Sequence, residues 1–279
     1  MKIKEVIEKI LAYHPDLGPD YDGCDNVKCG NIEDECTGIV TALVPTVNVI
    51  RKAIELKANL IIVHEPTFYT SKDEGGWFYD FKNEVYEEKR KLLDDNHICI
   101  YRDHDHLHTH RPDGIFTGVM KYLGYEDSHE LIDDPPFATY IINFEEKTLK
   151  QFCEEICSKV GLNGCRYIGD PDMKIKNAAF VGHLYPNGDM EKEYSVETIK
   201  VFDYADVILP GESIDWTLLS YTRDANQLGK KKAIVMFGHF NMEEFGARYM
   251  KDWLPELIGN EVPVTYVESE DMYKYFERS

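Results

Sequence analysis

Apolar positions open the chain at Ile3, Val6, Ile7, Ile10 and Leu11, the three-and-four spacing of one helical face. From Thr37 the pattern changes. Gly38-Ile39-Val40-Thr41-Ala42-Leu43-Val44 reads as a strand, and Pro45-Thr46 opens a helix carried by Val49, Ile50, Ala53, Ile54 and Leu56. Asn59-Leu60-Ile61-Ile62-Val63 is a second strand, apolar at nearly every position. Such a strand is buried on both faces, which predicts a parallel βαβ unit. A charged helix over 80–95 (Phe81, Val85, Leu92, Leu93) and the strand His97-Ile98-Cys99-Ile100-Tyr101 extend the same layer.

The second half repeats this style. After the loop-like Asp133-Asp134-Pro135-Pro136 come a strand over 138–144, a helix over 148–160, and strands at 178–181, 207–209 and 233–237. A helix over 242–257 and a β-like run over 262–267 end the pattern. The composition shift near 125–136 is the boundary candidate. We expect an α/β fold with a first domain over 1–125, completed by 245–279, and a second over 126–244. No short fixed period recurs, so a solenoid is excluded.

Composition narrows the function classes. The 279 residues exceed the roughly 100–200 of a common single domain, and 43% hydrophobic with 29% charged residues fits a globular chain with a sizeable core. The 31 basic and 51 acidic residues leave a net charge of −20, a field that repels phosphate backbones and anionic lipid. General nucleic-acid binding is therefore disfavoured. A small anionic substrate stays compatible, because a bound metal reverses the field locally. We read no membrane-length apolar run and no signal peptide. Seven cysteines, an odd number without secretory context, point to reduced thiols in a cytoplasmic protein. Cys24, Cys29 and Cys36 are too widely spaced for a C-x2-C zinc knuckle and are treated as structural.

Three clusters each follow an apolar strand, where open α/β sheets place their ligands. His64-Glu65-Pro66 puts an imidazole and a carboxylate on a proline-fixed turn; a strand-end histidine bonded to its own loop would look the same. His104-Asp105-His106-Leu107-His108-Thr109-His110 carries four of the ten histidines at alternate positions, which share one face if the segment is extended. Imidazole is the commonest metal ligand at neutral pH, although a pH-sensitive surface loop would also be histidine-rich. The order is not the H-x-H-x-D-H of metallo-β-lactamase-like hydrolases, since position 108 is histidine. In Gly238-His239-Phe240-Asn241-Met242-Glu243-Glu244-Phe245-Gly246, His239 and Glu243 are four apart and share a face if a helix starts near 239, with Glu244 pointing away. An acidic first turn balancing the helix dipole would explain both glutamates but not His239. So many nitrogen and oxygen donors at strand ends suit a pair of metals.

With Asp25-Asn26-Val27, Val63-His64-Glu65-Pro66, Tyr101-Arg102-Asp103-His104, Ala205-Asp206-Val207-Ile208-Leu209-Pro210-Gly211-Glu212 and Gly238 to Gly246 in this order, nearly the whole chain resembles the GTP cyclohydrolase I type 2 family, the Nif-three-like dinuclear-metal proteins. The resemblance implies two similar α/β domains with mixed, largely parallel sheets, a two-metal site facing an internal cavity, and a ring-shaped homohexamer. It carries metal ligation to His64, Glu65, His104, His108, His239 and Glu243. Two of these depart from the family pattern: Glu65 stands for its second histidine, and His108 for its aspartate. Nitrogen and oxygen donors are exchanged, not lost. The family's glycine-rich turn is also altered, to Val181-Gly182-His183-Leu184-Tyr185.

These readings describe a cytoplasmic metal-dependent hydrolase with two divalent ions (zinc, iron or manganese) and a small, nucleotide-like substrate. Glu65 and Glu243 are its candidate catalytic residues, Glu243 bridging the ions and Glu65 ligating or acting as base. His106 and His110 are candidate proton carriers. A metal-binding scaffold without turnover is the alternative, and a mononuclear histidine-cluster hydrolase a second. Self-association into a hexamer is expected to need apolar contacts, with Trp77-Phe78-Tyr79-Asp80-Phe81 the candidate patch.

Overall fold

Three strands whose every residue is buried build the first sheet: β2 (Ile39–Ala42), β3 (Leu60–Val63) and β4 (Cys99–Arg102). They run parallel, β3 between the other two, with β1 (Val27–Cys29) antiparallel on β4 and a late strand, Val264–Tyr266, parallel on β2. The all-apolar runs thus go where both faces are covered, each buried Val or Ile contributing about 1.5–3 kcal/mol. Thr46 Oγ1 accepts from Val49 N at 3.1 Å and starts the helix Val47–Leu56, whose Val49, Ile50 and Ala53 pack on Val40, Ile61 and Val63. The structure, a computed structural model, describes residues 1–73, 83–134, 137–182 and 191–276.

The chain divides into two units, Met1–Val119 with Glu243–Glu270, and Met120–Met242 with Asp271–Ser279. The second unit has six strands, β5 (His129–Asp134), β6 (Phe137–Thr148), β7 (Arg166–Ile168), β8 (Lys174–Val181), β9 (Val207–Pro210) and β10 (Ala233–Met236), in the order β5-β6-β8-β9-β10-β7. β8, β9 and β10 are parallel, and the outer pairings are antiparallel. The fold is therefore mixed α/β with two sheets of mixed strand orientation. Thr148 and Gln151 form a capping box at the start of the helix Leu149–Val160, and Gly161, at φ 82°, ends it.

Some elements differ from the sequence reading. Asp133 and Asp134, expected in a loop, finish β5 and pair with Ala138 and Phe137. Cross-strand pairing outweighs the low strand propensity of aspartate. β1 and β7 have three residues each, too few for a period to register. The helix expected from Asp80 is described as Glu84–Asp95, with the Asn83 side chain accepting from Tyr86 N at 3.0 Å. Trp77-Phe78-Tyr79-Asp80-Phe81, Pro135-Pro136 and His183-Leu184-Tyr185 lie outside the described residues.

Candidate metal centre

Parallel register brings the ends of β3 and β4 side by side, Val63 opposite Arg102. The next residues are the first donors. The amides of His64 and Glu65 both donate to Leu43 O, at 3.1 and 2.9 Å, and Asp103 N donates to Val63 O at 2.8 Å. Buried Arg102 donates through Nε to His64 O at 2.9 Å and lies 3.8 Å from Glu65 Oε2. The turn after β3 is thus fastened from β4.

The histidine-rich segment is not extended. Residues Asp105–Thr109 form a short helix, and Asp25 holds its start: the carboxylate accepts from the amides of His104, Asp105 and His106 at 2.8, 3.0 and 2.8 Å. Capping satisfies amides that a helix start leaves without partners. A helical turn in place of a strand separates the four histidines. His104 and His108, four apart, meet His64, while the His106 Nδ1 is 2.7 Å from Asp25 Oδ2. His110 Nε2 lies 2.7 Å from His14 Nδ1.

Each ring in the His64, His104 and His108 group has its Nδ1 engaged. His64 Nδ1 is 3.1 Å from the Asp103 carbonyl, His104 Nδ1 2.8 Å from Asp105 Oδ1, and His108 Nδ1 2.7 Å from Asp113 Oδ2. Carbonyls and carboxylates only accept, so each Nδ1 donates and each neutral ring keeps its lone pair on Nε2. His64 Nε2 and His108 Nε2 face one another at 3.1 Å, and Glu243 Oε2 is 3.4 Å from His64 Nε2. Donors bound to one tetrahedral zinc by bonds of about 2.0–2.2 Å sit about 3.3–3.6 Å apart. The 3.4 Å edge falls in this range and the 3.1 Å edge lies about 0.2 Å short of it. Ligand atoms of His64, His104 and His108 lie within 4.8 Å of one another, as do those of His64, Glu65 and Glu243. His64, Glu65 and Glu243 are buried.

Electrostatics follow from the same contacts. Burial and then the neighbouring His64 push the His104 pKa down to about 4, so its ring is neutral at pH 7 and ready to ligate. For His108 burial acts downward, but the Asp113 charge and hydrogen bond, then Glu243 and Glu65, outweigh it and raise the pKa to about 9. Three lone-pair acceptors converge, and in the metal-free chain a proton on His108 offsets them. A divalent cation is the alternative counter-charge.

Glu243 sits in the helix His239–Leu257, which passes against the helix Gly114–Leu123 through two glycines. A methyl at Gly246 would lie 2.6–2.8 Å from Ile115, and one at Gly118 2.6 Å from Phe245 O. Glycine alone permits this approach. Because the helix begins at His239, the glutamates are past its first turn and are not dipole-balancing groups. Glu244 turns from the donors and accepts from Tyr266 Oη at 2.6 Å and Ser269 N at 3.1 Å. His239 belongs to the second unit, where its Nδ1 is 3.4 Å from Glu212 Oε1. It enters none of the close donor groups among the described residues.

Asp113, Asp105 and Arg102 carry no sequence signal for this role. Asp113 reaches His108 and also caps the following helix, its Oδ1 accepting from Ile115 N and Phe116 N at 2.8 and 3.0 Å. Asp25, Arg102 and Asp105 stood in motifs singled out beforehand, but without a role.

The family model described as Duf34/NIF3 (NGG1p interacting factor 3) matches residues 1–272. The "GTP cyclohydrolase 1 type 2 homolog" of Clostridium acetobutylicum is 26% identical over 250 residues, covering 87% of this chain and 85% of that protein. Its namesake from Clostridium perfringens is 26% identical over 252 residues, covering 87% of each. Among solved structures, a Bacillus cereus protein related to NIF3 superposes with a TM-score of 0.70 at 16% identity, covering 100% of this chain and 99% of that one. Staphylococcus aureus protein SA1388 gives 0.68 at 19%, with 99% of each chain covered.

Proposed function

This chain belongs to the Duf34/NIF3 family, and we propose that it is a metal-dependent hydrolase whose divalent ions are held by His64, Glu65, His104, His108 and Glu243. The carrying observation is the approach of two Nε2 atoms, His64 and His108, to 3.1 Å with both Nδ1 atoms engaged elsewhere. The nitrogen-rich and the carboxylate-rich group share His64, whose one free nitrogen serves a single ion; a second ion would draw its donors from Glu65 and Glu243. His239, one helical turn before Glu243, is the sixth candidate on that spacing alone.

A divalent ion bound here would supply Lewis-acid activation of water and of a carbonyl, ring carbon or phosphoryl group. The residues supply the rest. Asp105, Asp113 and the Asp103 carbonyl fix ring orientation and tautomer. Arg102, 3.8 Å from Glu65 Oε2, holds this carboxylate in place, either as a ligand or, where it does not ligate, as the base that takes a proton from water. The donor mixture suits zinc, iron or manganese. The substrate class is a small, nucleotide-like molecule, and the assembly is a ring of six copies. Light scattering at low and moderate salt tests the ring; a monomer at both rejects it.

Activity across nucleotides, phosphoesters and cyclic amides, measured on stripped and reloaded protein, tests the hydrolase reading. Turnover of one class that tracks metal content supports it. Metal binding with no turnover of any class turns the reading to a scaffold.

A further inference from the structure

Behind His64 lies a second polar cluster, also within the first unit. Asp103 turns its main-chain carbonyl to His64 and its side chain to another set of residues. The side chain is wholly buried. Its Oδ2 is 3.0 Å from His14 Nε2, and His14 is steadied in turn by His110. Its Oδ1 is buried without a hydrogen-bond partner, and so is the hydroxyl of Tyr101, two residues back on β4. Asp25, the helix cap, brings a second carboxylate, and His106 brings a ring. Ligand atoms of Asp25, Asp103 and His106 lie within 4.8 Å of one another.

Each carboxylate has a ring partner, His14 at 3.0 Å from Asp103 Oδ2 and His106 Nδ1 at 2.7 Å from Asp25 Oδ2, and a ring offsets the charge only when protonated. Two carboxylates so close in a dry site repel, and an unpaired buried carboxylate oxygen loses its solvation without return. Asp25 is fixed by three amides and Asp103 by His14, so neither relieves the repulsion by turning away. We propose that Asp25, Asp103 and His106 form a second cation site, separate from the His64 centre, that takes a divalent metal of the zinc, manganese or iron class. Two oxygen ligands and one nitrogen suit these borderline ions and disfavour copper(I), which seeks sulfur. The ion would join the Ile3–Tyr13 helix end through His14, the turn at Asp25, the end of β4 and the short helix at His106. Clipping four distant segments together is the work of a structural metal.

The test uses the full chain, stripped with chelator, reloaded with zinc and dialysed, with bound equivalents counted by elemental mass spectrometry. His106→Phe keeps the ring shape without nitrogen, and Asp103→Asn keeps the His14 contact without the charge. Each should bind one equivalent fewer than the parent and lose the rise in melting temperature that zinc gives the parent through this site. Glu243→Gln, which alters only the His64 centre, should retain that equivalent, so failure of the two sites is read separately. Wild-type content in both His106→Phe and Asp103→Asn overturns the proposal. Should either variant fail to fold, anomalous scattering at the zinc edge from zinc-loaded wild-type crystals decides. A peak among Asp25, Asp103 and His106 supports the site, whereas water density alone overturns it.

Discussion

His64 and His108 turn the same ring nitrogen toward each other: their Nε2 atoms are 3.1 Å apart while each Nδ1 is held, one by the Asp103 carbonyl and the other by Asp113. The contact joins a strand end to a helix 44 residues later. Neutral rings in these tautomers repel, so the pair requires a proton or a cation. The predictions below follow from that requirement and from the elements that impose it.

Asp113 orients His108 and raises its basicity. Replacing Asp113→Asn should weaken metal binding about 10- to 100-fold, the usual effect of losing a carboxylate behind a ligating histidine. Competition against a chelating dye measures it. Unchanged affinity would leave Asp113 as a helix cap alone.

The two-glycine crossing seats Glu243. Gly246→Ala adds a methyl 2.6–2.8 Å from Ile115 side-chain and Cα atoms, so the helices must part. Overpacking of this kind costs about 1–3 kcal/mol and outweighs the helix-propensity gain of about 1 kcal/mol. The melting temperature should fall and metal content with it; a rise would show that the helices separate freely.

Lys89 fastens the turn beyond Glu65 by donating to Thr67 O at 2.6 Å, and burial pushes its pKa down to about 8. The unfolded chain, with a value of 10.5, binds more protons between these two pH values, so this group's contribution to stability rises with pH across that window. Below about 8 both states are protonated and the penalty is constant. The stability of wild type relative to Lys89→Met should increase by up to about 3 kcal/mol from pH 7.5 to pH 10.5. Urea unfolding at the two pH values reads it, and a flat difference would contradict the burial of a neutral amine.

Much of the framework was legible because its signals are local. The unbroken apolar run at 60–63 required a strand covered on both faces, and β3 lies between β2 and β4. His64 and Glu243 stood out as residues leaving, respectively, a strand and a helix start. The alternation of histidines from 104 to 110 misled, because the helical state of this segment depends on Asp25, about eighty residues earlier. The roles of Asp113 and Arg102 were not legible for the same reason: their partners are defined by register and chain reversal, not by spacing. The departures at Glu65 and His108 fall within the close donor groups, Glu65 with His64 and Glu243, and His108 with His64 and His104.

The central claim, that these donors hold metal, is tested most directly by counting ions in His64→Ala. His64 belongs to both close donor groups, so its removal should cost the chain at least one equivalent of bound zinc relative to wild type while far-ultraviolet circular dichroism stays the same. A folded His64→Ala protein that keeps the full wild-type metal content would contradict the account.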